Sequence, residues 1–335
     1  RQRQMCIRDR VWAVYCLGRV LFASRPAIAL AMAGLVAFTP QFLFMSGVVN
    51  NDNAATAISA LVLWQVAALL HEPVPDWKRS ALLGLLLGFG LLSKASLMAL
   101  APVVAVAVIL MALAGQWSLA TDRQLAVVVE DARPERRVRR VHRLRQLALG
   151  GVERPPTRPE RVFVAAWYLL VAFGTTILVA GWYFVRNLRL FGDPLGWSFV
   201  LQTNAAREGP LTLDVLVWLF RGLFRSFWLG WIGIAFDEVV YWIIGAACLV
   251  AAAGFVAWLV RRWWHVDTAT RWTLRLLGLH AVITLGSLIQ WTATVLGTDQ
   301  GRLIYPILPS VMLVLAVGWA WWATERGRRY VLGTL

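Results

Sequence analysis

Asn50-Asn51-Asp52-Asn53 sets four polar side chains in a row between two apolar segments, Ala27–Val49 and Ala54–Leu70. A carboxylate at the mouth of a hydrophobic stretch is expensive in lipid and is kept where it is used. Asp52 can deprotonate a hydroxyl or bind a metal ion. Its simpler role is to cap the next helix, since Asn and Asp are good N-caps and an acid suits a helix N-terminus. One cap needs one such residue, although a hairpin between spans also tolerates a polar run. Lys94 stands alone behind an apolar run; it either snorkels to the interface or offers a point charge to a phosphate. Arg186-Asn187-Leu188-Arg189 follows Gly181-Trp182-Tyr183-Phe184, and Phe191-Gly192-Asp193-Pro194-Leu195-Gly196 then makes a turn. Arg186 either marks the exit from the bilayer or grips a phosphate with two parallel hydrogen bonds. In Asp299-Gln300-Gly301-Arg302 the glycine permits a close approach, the arginine supplies a fork of donors, and Pro306 and Pro309 loosen the following helix start. The expected site is Asp52 for the chemistry, with Asn50, Asn51, Lys94, Arg186, Asn187, Gln300 and Arg302 for substrate binding.

The elements that must position these groups are membrane helices. The chain has 335 residues, 59% of them hydrophobic, and a mean hydropathy of +0.63. Its apolar residues come in continuous blocks of roughly 17–25, enough to cross the hydrocarbon core. Continuous rather than alternating blocks mean helices, not a barrel. The expected class is all-α, a polytopic membrane protein of about eight spans: Ala27–Val49, Ala54–Leu70, Ala81–Leu92, Ala95–Ala114, Val162–Phe184, Val239–Val260, Trp272–Leu296 and Leu303–Ala323. Pro40 can kink the first of them. Met5-Cys6-Ile7-Arg8-Asp9 reads as the translation of a transposase sequencing adapter. Residues 1–10 are therefore expected to be a scar outside the fold. The natural chain is expected to begin upstream, with Val11–Ala23 the remaining end of an earlier span.

Charge decides how the chain threads. Either Ala81–Leu92 and Ala95–Ala114 are two spans with a turn at Lys94, or the first lies in the interface and only the second crosses. With two spans, Lys78, Arg79, Arg261, Arg262, Arg271, Arg275 and the Arg-rich stretch up to Arg161 share one side, as the positive-inside rule requires. With one span, every later loop inverts and the rule fails. The two-span reading divides the chain into an N-terminal transmembrane module (11–114), a basic cytoplasmic loop (115–161), a span (162–184), an extracytoplasmic loop (185–238), C-terminal spans (239–324) and a cytoplasmic tail (325–335). It puts Asn50–Asn53, Lys94, Arg186 and Arg302 on the outer face. In the outer loop, Leu216, Leu219, Phe220, Leu223, Phe224 and Phe227 recur at helical spacing with Arg221 and Arg225 opposite, the pattern of an interfacial helix. Trp218, Trp228, Trp231 and Trp242 suit the aromatic belt.

The same pattern excludes other classes. A net charge of +15 suggests nucleic acid, but the arginines cluster between spans, as membrane topology demands. Cys6, Cys16 and Cys248 have no disulfide or metal spacing, and His71, His142, His265 and His280 are scattered. A carboxylate, a lysine, two arginines and amides at bilayer depth suit a substrate with a lipid tail, a phosphate and a polar head. A lipid-phosphate-linked sugar is such a molecule.

Several strings strengthen that reading. Thr39-Pro40-Gln41-Phe42 with Asn50-Asn51-Asp52, the Gly84–Lys94 stretch, Gly181-Trp182-Tyr183-Phe184-Val185-Arg186-Asn187 with Phe191-Gly192-Asp193-Pro194, Arg225-Ser226-Phe227-Trp228, and Gln300-Gly301-Arg302 with Tyr305-Pro306 resemble bacterial GT-C superfamily membrane glycosyltransferases. They are similar to the branch of protein mannosyltransferases and aminoarabinose transferases, over residues 11–325. The resemblance implies inverting transfer from a polyprenyl-phosphate sugar on the extracytoplasmic face of a bacterial inner membrane. The acceptor stays open among glycan, lipid and protein, and a divalent metal stays an open alternative. In this family the principal catalytic acid lies in the first outer loop, which this chain is expected to lack. Asp52 then matches the supporting acid of the second outer loop, and Lys94, Arg186 and Arg302 match cations on the phosphate side. A transporter or flippase of lipid-linked saccharide, or a non-catalytic assembly partner, is the competing expectation.

Overall fold

The computed structural model describes residues 2–48, 50–71, 77–113, 158–230 and 236–323. Most of the expected basic loop, the tail and Trp231 lie outside them. The described elements are helical: α1 Gln2–Leu21, α2 Pro26–Ala37, α3 Pro40–Gly47, α4 Asn51–His71, α5 Trp77–Ser93, a 3-10 turn Ala95–Ala99 leading into α6 Leu100–Leu113, α7 Arg158–Phe191, α8 Trp197–Thr203, α9 Leu213–Trp228, α10 Glu238–Arg262, α11 Thr268–Thr292, and a 3-10 turn Gly301–Ile307 leading into α12 Leu308–Trp321. Among the described residues the extended pairing is limited to one antiparallel bridge, Ala206 to Val295. Six helices are long and apolar enough to cross a bilayer, seven if the bent pair α2–α3 counts as one span. The remaining expected span is α5, with 17 residues.

Where the elements differ from expectation, local chemistry gives the reason. The expected span Ala27–Val49 is broken into α2 and α3, which meet at 58°. Pro40 has no N–H to give the preceding turn, and Thr39 before it is extended, with ψ 114°. Residues 1–10 were expected outside the fold, yet α1 runs unbroken through them and Arg10 is fully buried. The largest departure is α7. It spans 34 residues rather than ending at Phe184, about 51 Å at 1.5 Å per residue, against about 30 Å of hydrocarbon. The helix is therefore longer than the apolar layer is thick, and Arg186, Asn187 and Arg189 sit on helix rather than on a loop.

Side-chain pairings fix the directions. Lys94 reaches Asp52 and Arg79 reaches Gln65, so α4 and α5 form an antiparallel hairpin. A Cβ at Gly84 would meet the Ala172 carbonyl oxygen at 2.0 Å, and one at Gly88 would meet the Val179 Cβ at 2.7 Å. The two helices touch backbone to side chain, and α5 and α7 run in the same direction. The chain must therefore return between them, and α6 is that return. The chain turns at Lys94 (φ −159°, ψ 126°), between α5 and the 3-10 turn that leads into α6. An α5 packed lengthwise on α7 is not a helix lying in the interface.

The core sits around α4, whose buried face includes Val62, Leu63, Val66, Leu69 and Leu70. Its far end is tied to α11: His71 lies 3.0 Å from Thr270 Oγ1 through Nε2 and 3.7 Å from Asp267 Oδ1. Its middle is tied to the 3-10 turn before α12, because Ser59 Oγ donates to the Pro306 carbonyl at 2.7 Å. By contrast α7 and α10 expose long apolar faces, with Leu170, Ile177, Leu178, Ile243, Leu249 and Val260 all outward. That is the surface a bilayer covers.

Candidate active site

The starts of α4, of the 3-10 turn before α6 and of the 3-10 turn before α12, together with the end of α5, converge at one end of the bundle. Asp52 lies in the first turn of α4 with its side chain only 8% exposed. Its Oδ1 accepts from Lys94 Nζ at 2.5 Å, and its Oδ2 lies 3.5 Å from Arg302 Nε. Each carboxylate oxygen thus faces its own cation. Lys94 and Arg302 keep some access to solvent, at 18% and 29% side-chain exposure. Arg302 Nε also donates to Gln300 Oε1 at 2.8 Å, which sets the plane of the guanidinium. A buried carboxylate between two half-open cations can exchange its partners for an anionic ligand, because the cations are the reachable members.

The amides of the polar run are divided among other tasks. The capping role falls to Asn50, whose Oδ1 accepts from the Asn53 amide at 3.0 Å. Asp52 is thereby free for Lys94 and Arg302. Asn51 Nδ2 donates to the Ser93 carbonyl at 3.3 Å, closing the hairpin beside Lys94. Asn53 Nδ2 donates to the carbonyls of Met45 and Val48, at 2.9 and 2.7 Å. Those oxygens belong to the end of α3, where helical partners run out. Asn53 Oδ1 accepts from Arg10, which also donates to Ser46 Oγ and lies 4.4 Å from the centre of the Phe42 ring. None of this Arg10 network was anticipated, because its segment was set aside.

Arg186 and Asn187 do not join this group. Parallel packing carries the end of α7 toward the same end of the bundle as Ser93, but Arg186 is exposed there. Among the described residues no hydrogen bond or ion pair links it to Asp52. Asn187 is buried, and its Nδ2 donates to the Pro194 carbonyl at 3.3 Å, so it buttresses the turn after α7. Asp193 organises that turn, accepting from the amides of Leu195, Trp197 and Ser198 and from the Ser198 hydroxyl. The Ser198 amide does most to hold this carboxyl far below the usual range, at about 2. Desolvation opposes that shift, and the Trp197 amide, the Ser198 hydroxyl and the Gly196 amide add to it. Among the described residues no group of three His, Cys, Asp or Glu side chains comes together.

The expected amphipathic helix is present as α9. Leu219, Leu223 and Phe227, four residues apart, are its buried stripe, and Arg221 and Arg225 both pair with Glu238 at the start of α10. Under α9 lies an apolar cavity of about 400 Å³, lined by Leu223, Phe224, Phe227, Ala252, Ile304 and Val311 among others. Ile304, which lines it, is two residues along the chain from Arg302.

An all-α bundle with six helices long and apolar enough to cross a bilayer, and an ion-paired carboxylate at one end of it, is that of a polytopic membrane protein. Residues 5–129 match the family model of dolichyl-phosphate-mannose-protein mannosyltransferases. This match supports a GT-C superfamily glycosyltransferase, a membrane enzyme using a polyprenyl-phosphate sugar donor. It includes Asp52 and Lys94 and stops well before Arg302. No curated protein and no solved structure matches the chain.

Proposed function

We propose that the protein moves a sugar from a polyprenyl-phosphate donor to an envelope acceptor on the extracytoplasmic face of a bacterial inner membrane. The observation that carries this reading is the grouping of Asp52, Lys94 and Arg302 at one end of the bundle. In the proposed step the acceptor oxygen bonds to the anomeric carbon, and the bond from that carbon to the phosphate oxygen breaks with inversion. The acceptor proton passes to a base, and polyprenyl phosphate leaves. Lys94 and Arg302 hold the charge that grows on the leaving phosphate. Asp52 is the supporting acid: it keeps the two cations apart and aimed before the donor arrives. The apolar cavity under α9 suits part of the polyprenyl chain, since it is lined by aliphatic and aromatic side chains, one of them Ile304 on the same 3-10 turn as Arg302.

The test is turnover. Protein reconstituted in vesicles is given a donor radiolabelled in the sugar, and the label is followed out of the lipid-linked pool. Transfer to an acceptor supports the reading. Movement of intact lipid-linked saccharide across the bilayer without chemical turnover contradicts it and supports a flippase.

A further inference from the structure

We infer that Ser226, on the amphipathic helix α9, is a positioning residue that sets Arg302 against the donor phosphate. The inference rests on the functional reading above. Ser226 Oγ accepts from the Gly301 amide at 2.7 Å. Its own proton goes to the Gly222 carbonyl at 2.7 Å or the Asp299 carbonyl at 3.2 Å. One hydroxyl thus ties α9 to both sides of the Asp299–Arg302 segment, and the residue it grips most closely precedes Arg302.

The packing leaves this contact no slack. A Cβ on Gly301 would lie 2.3 Å from the Phe227 nitrogen, and one on Gly222 would lie 2.6 Å from the Asp299 Cβ. Both surfaces are glycine where they meet, so backbone approaches backbone and the serine hydroxyl reaches across. The next turn is held as well. Tyr305 Oη donates to the Phe227 carbonyl at 3.2 Å, and the two rings meet edge to face at 5.3 Å. Arg302 lies between these two fixed points. On its other side it meets Asp52 and Gln300. Arg302 is therefore aimed by the amphipathic helix as well as by the bundle.

Such a role is distinct from plain structural support because it acts through a single residue. Losing one neutral hydrogen bond of this kind weakens a dependent interaction about five- to tenfold. The experiment measures binding of undecaprenyl phosphate to the reconstituted protein for the wild type, Ser226→Ala, Arg302→Gln and the double variant, with melting temperatures alongside. Ser226→Ala is expected to weaken binding about five- to tenfold, with a modest fall in melting temperature from the unpaired Gly301 amide that is the same in both backgrounds, and to take nothing further from binding once Arg302 is Gln, since coupled residues are not additive. A weakening by Ser226→Ala that persists in full in the Arg302→Gln background overturns the inference, as does wild-type affinity in Ser226→Ala. Affinity indifferent to Arg302→Gln itself overturns the phosphate reading, and the Ser226 inference falls with it.

Discussion

Lys94 Nζ lies 2.5 Å from Asp52 Oδ1, although the two residues are 42 positions apart. The contact exists because α4 begins where α5 ends. It is repeated lower in the same hairpin by Arg79 and Gln65 at 2.8 Å. The carboxylate is nearly buried, at 8% side-chain exposure, while Lys94 and Arg302 keep more access to solvent, at 18% and 29%. A buried charge keeps its partner at a cost in solvation that an apolar pair would avoid.

Replacing Asp52 by Asn keeps the shape and removes the charge. Lys94 and Arg302 then repel without a mediator. Folding is expected to lose roughly 1–3 kcal/mol, less than a fully buried broken pair, because both cations still reach water. Sugar transfer is expected to fall by about tenfold or more while membrane insertion stays normal. Full activity in this variant removes Asp52 from the site.

Asn53 serves the fold rather than the substrate. Asn53→Leu takes its donor from the Val48 carbonyl, leaves the Met45 carbonyl only the Val48 amide, and cuts a link to Arg10. The expected cost is about 2 kcal/mol or more, read as a drop in the melting temperature in detergent. An unchanged melting temperature contradicts the assigned role.

The turn after α7 is expected to be acid-resistant. The Asp193 carboxyl is held down to about 2, and a carboxyl in an unfolded chain titrates near 4. A depressed carboxyl contributes its full stabilisation above the unfolded value and loses it as pH falls through the folded one. Protection of the Leu195, Trp197 and Ser198 amides against hydrogen exchange should persist from neutral pH to about 4 and fade toward about 2. Asp193→Asn should lower that protection at neutral pH, and equal protection in the two proteins argues against the cage.

His280 is fully buried on α11, and neither ring nitrogen has a partner among the described residues. Thr284, one turn on, has a buried hydroxyl in the same condition. Exchanging an unsatisfied buried polar group for an apolar one of similar size is neutral or stabilising. His280→Leu is therefore expected to keep or raise the melting temperature. A fall of several degrees would mean that the ring holds a partner such as an internal water.

Much of this architecture was legible because bilayers impose simple rules. Apolar blocks gave the helices, and a break at Lys94 was expected where the chain does turn out of α5. The convergence of Asp52, Lys94 and Arg302 was expected only as a shared face, since no local signal reports a contact between positions 52, 94 and 302. Three features were hidden for physical reasons. Asn50 and Asp52 are equally good caps by type, and only the geometry assigns the cap to Asn50. Nothing in Val185-Arg186-Asn187-Leu188-Arg189 breaks a helix, so α7 continues until Gly192, whose φ of +73° ends it. Arg186, predicted for the site, is exposed on that extension. The fixing of Arg302 by Ser226 depends on two helix surfaces meeting at glycines. Arg225-Ser226-Phe227-Trp228 was visible as a motif, but its partner segment lies more than seventy positions on.

The central claim is that Lys94 and Arg302 hold the phosphate of a lipid-linked sugar during transfer. It is tested most directly by measuring initial rates of sugar transfer from a radiolabelled undecaprenyl-phosphate sugar by the wild type, Lys94→Met and Arg302→Gln. The expected result is transfer by the wild type and a fall of about a hundredfold in kcat/KM in each variant, the scale of losing one charge-stabilising group. Wild-type rates in both variants would contradict the account.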